Sequence, residues 1–127
     1  MGRIVIVNDE PNVLEVMMAV LEEDGHAVRG FAHGPEALTA LEEEMADLVI
    51  TDCSNHPIDG VEFVRRLRGW SDVPVVFVSA WAQEIEENLR GTRLEAQNYV
   101  QLPFSAEELT TKVRVALLER PTGPRSE

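Results

Sequence analysis

The chain alternates between short apolar runs and longer stretches in which apolar residues recur every three or four positions. Arg3-Ile-Val-Ile-Val-Asn8 reads as a buried strand. Asn8, Asp9 and Glu10 close it, and Pro11 suits the first turn of a helix, where an N–H has no partner to lose. Val13, Leu14, Val16, Met17, Val20 and Leu21 then recur at helical spacing, and Gly25 is a good terminator. His26 to Phe31 is a second strand, interrupted by polar residues and therefore expected at a sheet edge. Gly34-Pro35 opens a second helix with Ala37, Leu38 and Leu41 facing inward, and Glu42-Glu43-Glu44 reads as its solvated end.

Leu48-Val-Ile-Thr51 is a third strand of β-favouring residues that stops on Asp52, before an irregular loop punctuated by Pro57 and Gly60. Val61, Phe63, Val64 and Leu67 mark a third helix, with Arg65, Arg66 and Arg68 largely outside and a turn at Trp70 to Asp72. Val73 to Ser79 is nearly all apolar and so a central strand. Ile85 and Leu89 mark a fourth helix, broken near Gly91, and Asn98 to Gln101 a short fifth strand. Ser105-Ala-Glu-Glu108 is a capping-box signature opening a last helix with Leu109, Val113, Ala116 and Leu117 on its apolar stripe.

Five strands alternating with five helices predict an α/β fold with a parallel sheet covered on both faces. Right-handed crossovers make it doubly wound. With the second strand at an edge, the expected order is 2-1-3-4-5, a flavodoxin-like arrangement. Residues 1–120 are read as one domain and residues 121–127 as a C-terminal tail or the start of a linker.

Composition narrows the function classes. The 127 residues include 23 acidic and 11 basic side chains, a formal charge of −12 that repels a phosphate backbone, so direct nucleic-acid binding is not expected. No apolar run approaches the roughly eighteen residues that span a bilayer. Cys53 is the only cysteine, which leaves no internal disulfide, and a cytoplasmic location is expected. Cys53 itself reads as a small hydrophobe and His56 as an exposed loop residue.

The candidate chemistry sits where strands one and three end. In the expected order these strands are neighbours about 4.8 Å apart, so Asp9 and Asp52 converge on one crevice at the carboxyl edge of the sheet, where open α/β sheets bind ligands. Two such carboxylates repel by about 4 kcal/mol at about 4 Å with an effective dielectric near 20. A divalent cation relieves that repulsion. Magnesium, or manganese in its place, takes few carboxylates plus waters and phosphate oxygens; Asp9, Asp52 and the backbone carbonyl of Ser54 make a suitable half-shell. The ion would also neutralise an incoming phosphoryl group, the main requirement for its transfer. Asp52 is therefore the expected phosphoryl acceptor, and the Ser79 hydroxyl, at the end of strand four, a donor to a phosphoryl oxygen.

Val5-Ile-Val-Asn-Asp-Glu-Pro11, Asp47 to Asp52, Asp59-Gly60, Val78-Ser-Ala80 and Tyr99 followed by Pro103-Phe104 occur in this order over nearly the whole chain. In this pattern the chain resembles a receiver domain of a bacterial two-component response regulator. The resemblance implies phosphoryl transfer to Asp52 from a histidine kinase or phosphotransfer protein, magnesium on Asp9, and output through a downstream protein target. It also implies that Ser79 and Tyr99 couple phosphorylation to the surface formed by the fourth helix, fifth strand and last helix.

Two departures stand out. The family usually carries a pair of acids after strand one, and here the first is Asn8, placed in the outer coordination sphere of the ion. The family lysine before Pro-Phe is Leu102, and Lys112 lies more than a turn into the last helix. Pro57 is also one residue later than usual, with His56 where proline is common. The two main changes remove one negative and one positive side chain, so the site's net charge is conserved. The phosphorylated state loses a charge-assisted hydrogen bond, and phosphorylation is expected to shift the conformational equilibrium less completely. Trp81, close to Ser79, is read as a ring over the crevice rim or a control on access to it. The alternative is a phosphorylation-independent receiver-like interaction domain, which Leu102 and Asn8 favour and Asp9, Asp52 and Ser79 oppose. An enzyme or flavin carrier is disfavoured, because no Gly-rich or Ser/Thr-rich phosphate loop follows strand one.

Overall fold

The computed structural model describes residues 2–52, 60–79, 99–101 and 104–118. Five parallel strands, β1 (Arg3–Val7), β2 (Ala27–Phe31), β3 (Leu48–Asp52), β4 (Val75–Ser79) and β5 (Tyr99–Gln101), form one sheet in the order 2-1-3-4-5. Four helices are described: α1 (Pro11–Glu23), α2 (Gly34–Glu43), α3 (Gly60–Leu67) and α4 (Ala106–Leu118). The helix expected around Ile85 and Leu89, and the tail at 121–127, lie outside the described residues.

Strand alternation sorts the core into two layers. Val5, Val7, Val49, Val75 and Phe77 pack with Ala37 and Leu41 of α2 and with Phe63, Val64 and Leu67 of α3. Ile4, Ile6, Leu48, Ile50, Val76 and Val78 pack with Met17 and Leu21 of α1 and with Leu109, Val113 and Ala116 of α4. β1, β3 and β4 are thus buried on both faces, which is why they are continuous apolar runs. The edge strand β2 is only half-buried and admits Arg29 and Gly30.

Local chemistry ends the helices where expected. Gly25 adopts φ 94°, a left-handed conformation that favours glycine. The Gly25 N–H donates to the Glu22 carbonyl at 3.0 Å and the His26 N–H to the Leu21 carbonyl at 3.1 Å, the paired bonds of a Schellman motif. At α4, the Ser105 hydroxyl oxygen accepts the Glu108 N–H at 3.0 Å, as its capping signature predicts.

Three details differ from the spacing argument. Val16, placed on the inner stripe of α1, is 53% exposed; Met17 and Leu21 define the buried line, and Val16 falls on its flank. Met18 packs instead, against Gly30, where a Cβ would lie 2.5 Å from its sulfur. β4 begins at Val75 rather than Val73, because Pro74 has no N–H to pair, although its carbonyl accepts the Val49 N–H at 3.0 Å. Arg68 is half-buried rather than outside, and its guanidinium donates to the Val73 carbonyl at 2.7 Å, closing the turn after α3.

The sheet's starting edge is tied across the molecule. Buried His26 accepts the Gly2 N–H on Nδ1 at 3.0 Å, and Arg114 of α4 donates to Asp24 at the end of α1. The hydrogen bond from Arg114 holds the Asp24 carboxyl below its ordinary range. That pair contributes stability above the usual carboxylate range, and the contribution is lost as acid protonates Asp24.

Candidate functional site

The site is assembled by register. β1 and β3 are neighbours, with Val7 opposite Thr51, so the next step sets Asn8 opposite Asp52 and carries Asp9 just past the sheet edge. Asp52 pairs with Val78 of β4, and Ser79 stands one residue further along. Asn8, Asp9, Asp52 and Ser79 are thus gathered at one carboxyl edge, over the three central strands. Tyr99 pairs with Phe77, two residues short of Ser79, so it sits deeper along the neighbouring strand rather than at the rim. Ser54, His56, Trp81 and Leu102 lie outside the described residues. Lys112 is on the exposed side of α4.

Asn8 does more than close the strand. Its backbone N–H donates to the Phe31 carbonyl at 3.0 Å, extending the β1–β2 ladder by one step. Its side-chain oxygen accepts the Glu10 N–H at 2.9 Å, the bond of an Asx turn. Asp9 is therefore held between two anchored residues at the mouth of α1, where Pro11 occupies the first turn. Asn8 is 2% exposed. Replacing it with alanine is expected to cost about 1–2 kcal/mol, because the Glu10 N–H loses its acceptor. Urea unfolding checks this, and an unchanged midpoint contradicts the anchoring role.

Thr51 was legible only as a β-favouring residue. It is fully buried, and its hydroxyl donates to the Asp52 carbonyl oxygen at 3.2 Å, a contact at the backbone of the strand's terminal acid. A single hydroxyl in an otherwise apolar strand, next to the terminal acid, was the available signal.

Asp9 and Asp52 are half-buried, so both can meet an ion from solution. Among the described residues no group of three or more His, Cys, Asp or Glu side chains could enclose a metal. Two carboxylates on adjacent strand ends suit a hard cation that keeps several waters, as magnesium does, and do not suit a metal that needs a complete protein cage.

The family model described as the response regulator receiver domain matches residues 4–114. This chain belongs to that family.

The receiver is 34% identical over 122 residues to the DNA-binding response regulator MtrA of Mycolicibacterium smegmatis, covering 96% of this chain and 53% of that protein. It spans about half the length of the curated relatives it matches first. Among solved structures, the solution structure of the PhyR response regulator receiver domain from Erythrobacter litoralis matches with a TM-score of 0.83 at 27% identity, covering 99% of this chain and 96% of that one. The chemotaxis response regulator CheY4 of Vibrio cholerae matches with a TM-score of 0.79 at 22% identity over 91% of this chain and 98% of its own, a likeness of fold. No helix among the described residues is long and apolar enough to cross a membrane.

Proposed function

We propose that this receiver accepts a phosphoryl group on Asp52 from a histidine kinase or phosphotransfer protein, and that Asp9 and Asp52 hold the magnesium the transfer requires. The observation that carries this is the β1–β3 register, which supports a shared crevice for the two carboxylates. A carboxylate oxygen of Asp52 attacks the phosphorus of a phosphohistidine; the P–N bond breaks, and the imidazole nitrogen leaves with the electron pair and takes up a proton. Bound magnesium supplies charge neutralisation for the transferring group. Asp9, next to the Asn8 turn, would hold the ion together with Asp52, and the Ser79 hydroxyl would donate to a phosphoryl oxygen. Ser54 would add a backbone carbonyl to the ion's ligands, and Tyr99 with Ser79 would carry the change to the protein-binding surface around β5 and α4.

The formal charge of −12 supports a protein partner rather than a nucleic acid for this part of the chain. DNA binding, which the name of the MtrA relative records, would fall to a segment beyond this domain. The second reading, an interaction domain that does not use phosphorylation, rests on Asn8 and Leu102.

Beryllium fluoride with magnesium separates the two. Backbone amide shifts around β3, β4 and β5 are expected in the wild type and not in Asp52→Asn; a wild type that ignores the reagent favours the second reading. The same titration on Leu102→Lys is expected to show a more complete shift. An equal response would remove the argument that the missing lysine weakens the switch.

A further inference from the structure

An open groove of about 690 Å³ lies where α2 and α3 end, lined by Leu41, Glu42, Glu43, Met45 and Trp70. These are the connections that lead back into the starts of β3 and β4, so the groove is at the opposite edge of the sheet from Asp52. Leu41 forms a buried floor, while Met45 and Trp70 are 36% and 45% exposed. Two large apolar side chains facing solvent over an apolar floor, beside an acidic rim, have the make-up of a protein-docking surface.

The charges say what kind of partner fits. A helix C-terminus carries partial negative charge and favours cations. α3 follows this rule, with Arg65 and Arg66 in its last turn. α2 breaks it: it has no basic residue in its last turn and ends on Glu42 and Glu43. Glu44 is compensated by Arg3 and Arg29, each at 3.6 Å. Among the described residues Glu42 and Glu43 form no ion pair. The groove thus combines exposed apolar side chains with a local excess of negative charge, an unfavourable sign at a helix C-terminus.

We propose that this groove docks a basic segment of a partner protein. One large apolar side chain seats against Leu41, Met45 and Trp70, and flanking lysines or arginines meet Glu42 and Glu43. A second copy of this chain is a poor occupant, because two surfaces of a domain with charge −12 repel. The site does not depend on Asp52 and is independent of its phosphorylation.

The test uses the full chain with Trp81→Phe, which leaves Trp70 as the only indole of the two in the sequence. The probe is a peptide carrying leucine flanked by lysine and arginine, with a control in which glutamate replaces each basic residue. The basic peptide is expected to shift Trp70 emission to the blue and to move amide signals within residues 41–45 and 68–71. Glu42→Gln with Glu43→Gln should weaken binding about fivefold at low salt and little at high salt. Trp70→Ala should weaken it about tenfold or more, and Asp52→Asn should leave it unchanged. Absence of a Trp70 response overturns the proposal. So does an equal response to the acidic peptide, or undiminished binding in the double glutamine variant. Concentration-dependent self-association that Trp70→Ala abolishes would assign the groove to a second copy and also overturn it.

Discussion

Asp9→Asn is expected to slow phosphorylation of Asp52 by a small phosphodonor about a hundredfold or more at limiting magnesium, the scale of losing one preorganised electrostatic contact at a transferring group. Asparagine keeps the size of the side chain and one acceptor oxygen but removes the charge. The turn that positions residue 9 uses the Asn8 oxygen and the Glu10 N–H, neither of which the substitution touches. The fold should therefore survive while the ion is lost. Two readouts check this: the initial rate of phosphoryl incorporation across a magnesium series, and the unfolding midpoint. A rate within about threefold of wild type would show that Asp9 is not needed to hold the cation, and that the charge neutralising the transferring group comes from elsewhere.

Phe63→Ala is expected to cost about 3–5 kcal/mol of stability. Phe63 is fully buried and belongs to the layer formed by Val5, Val7 and Val49 with Leu41 and Phe77. Removing the ring leaves a cavity between α3 and the sheet that neighbouring side chains refill only in part. Total stabilities of such domains run about 5–15 kcal/mol, so this change removes a large share. Chemical unfolding measures it directly. A loss below about 1 kcal/mol would mean that α3 packs more loosely than its buried residues imply.

Much of this architecture is written in local signals. Pro11, Gly25 and Ser105 each determine one end of a helix through their own backbone or side-chain chemistry, and each is found in that role. The polar interruptions in β2 place it at the edge, and the apolar run of β4 places it inside the sheet, between β3 and β5. With that order known, the meeting of strands one and three follows, and with it the juxtaposition of positions 9 and 52. Finer features are not local. Whether Val16 or Met18 faces the core depends on the space that Gly30 opens on another element. Arg114 and Asp24 are 90 residues apart, and nothing in either neighbourhood marks the pair. Asn8 is a departure from the family's acid; a turn-closing role is readable beside the outer-shell one, and the structure supplies its partner, the Glu10 N–H that its amide oxygen accepts.

The absence of the usual acid at position 8 and of the usual lysine at 102 makes the phosphoryl-accepting role of Asp52 the claim on which the rest turns. Intact-mass measurement after incubation with magnesium and a small phosphodonor, followed by peptide mapping, addresses it most directly. The account predicts one phosphoryl group, carried on residue 52, and none in Asp52→Asn. A wild-type chain that takes up no phosphorus, or a variant that takes up as much as the wild type, would contradict it.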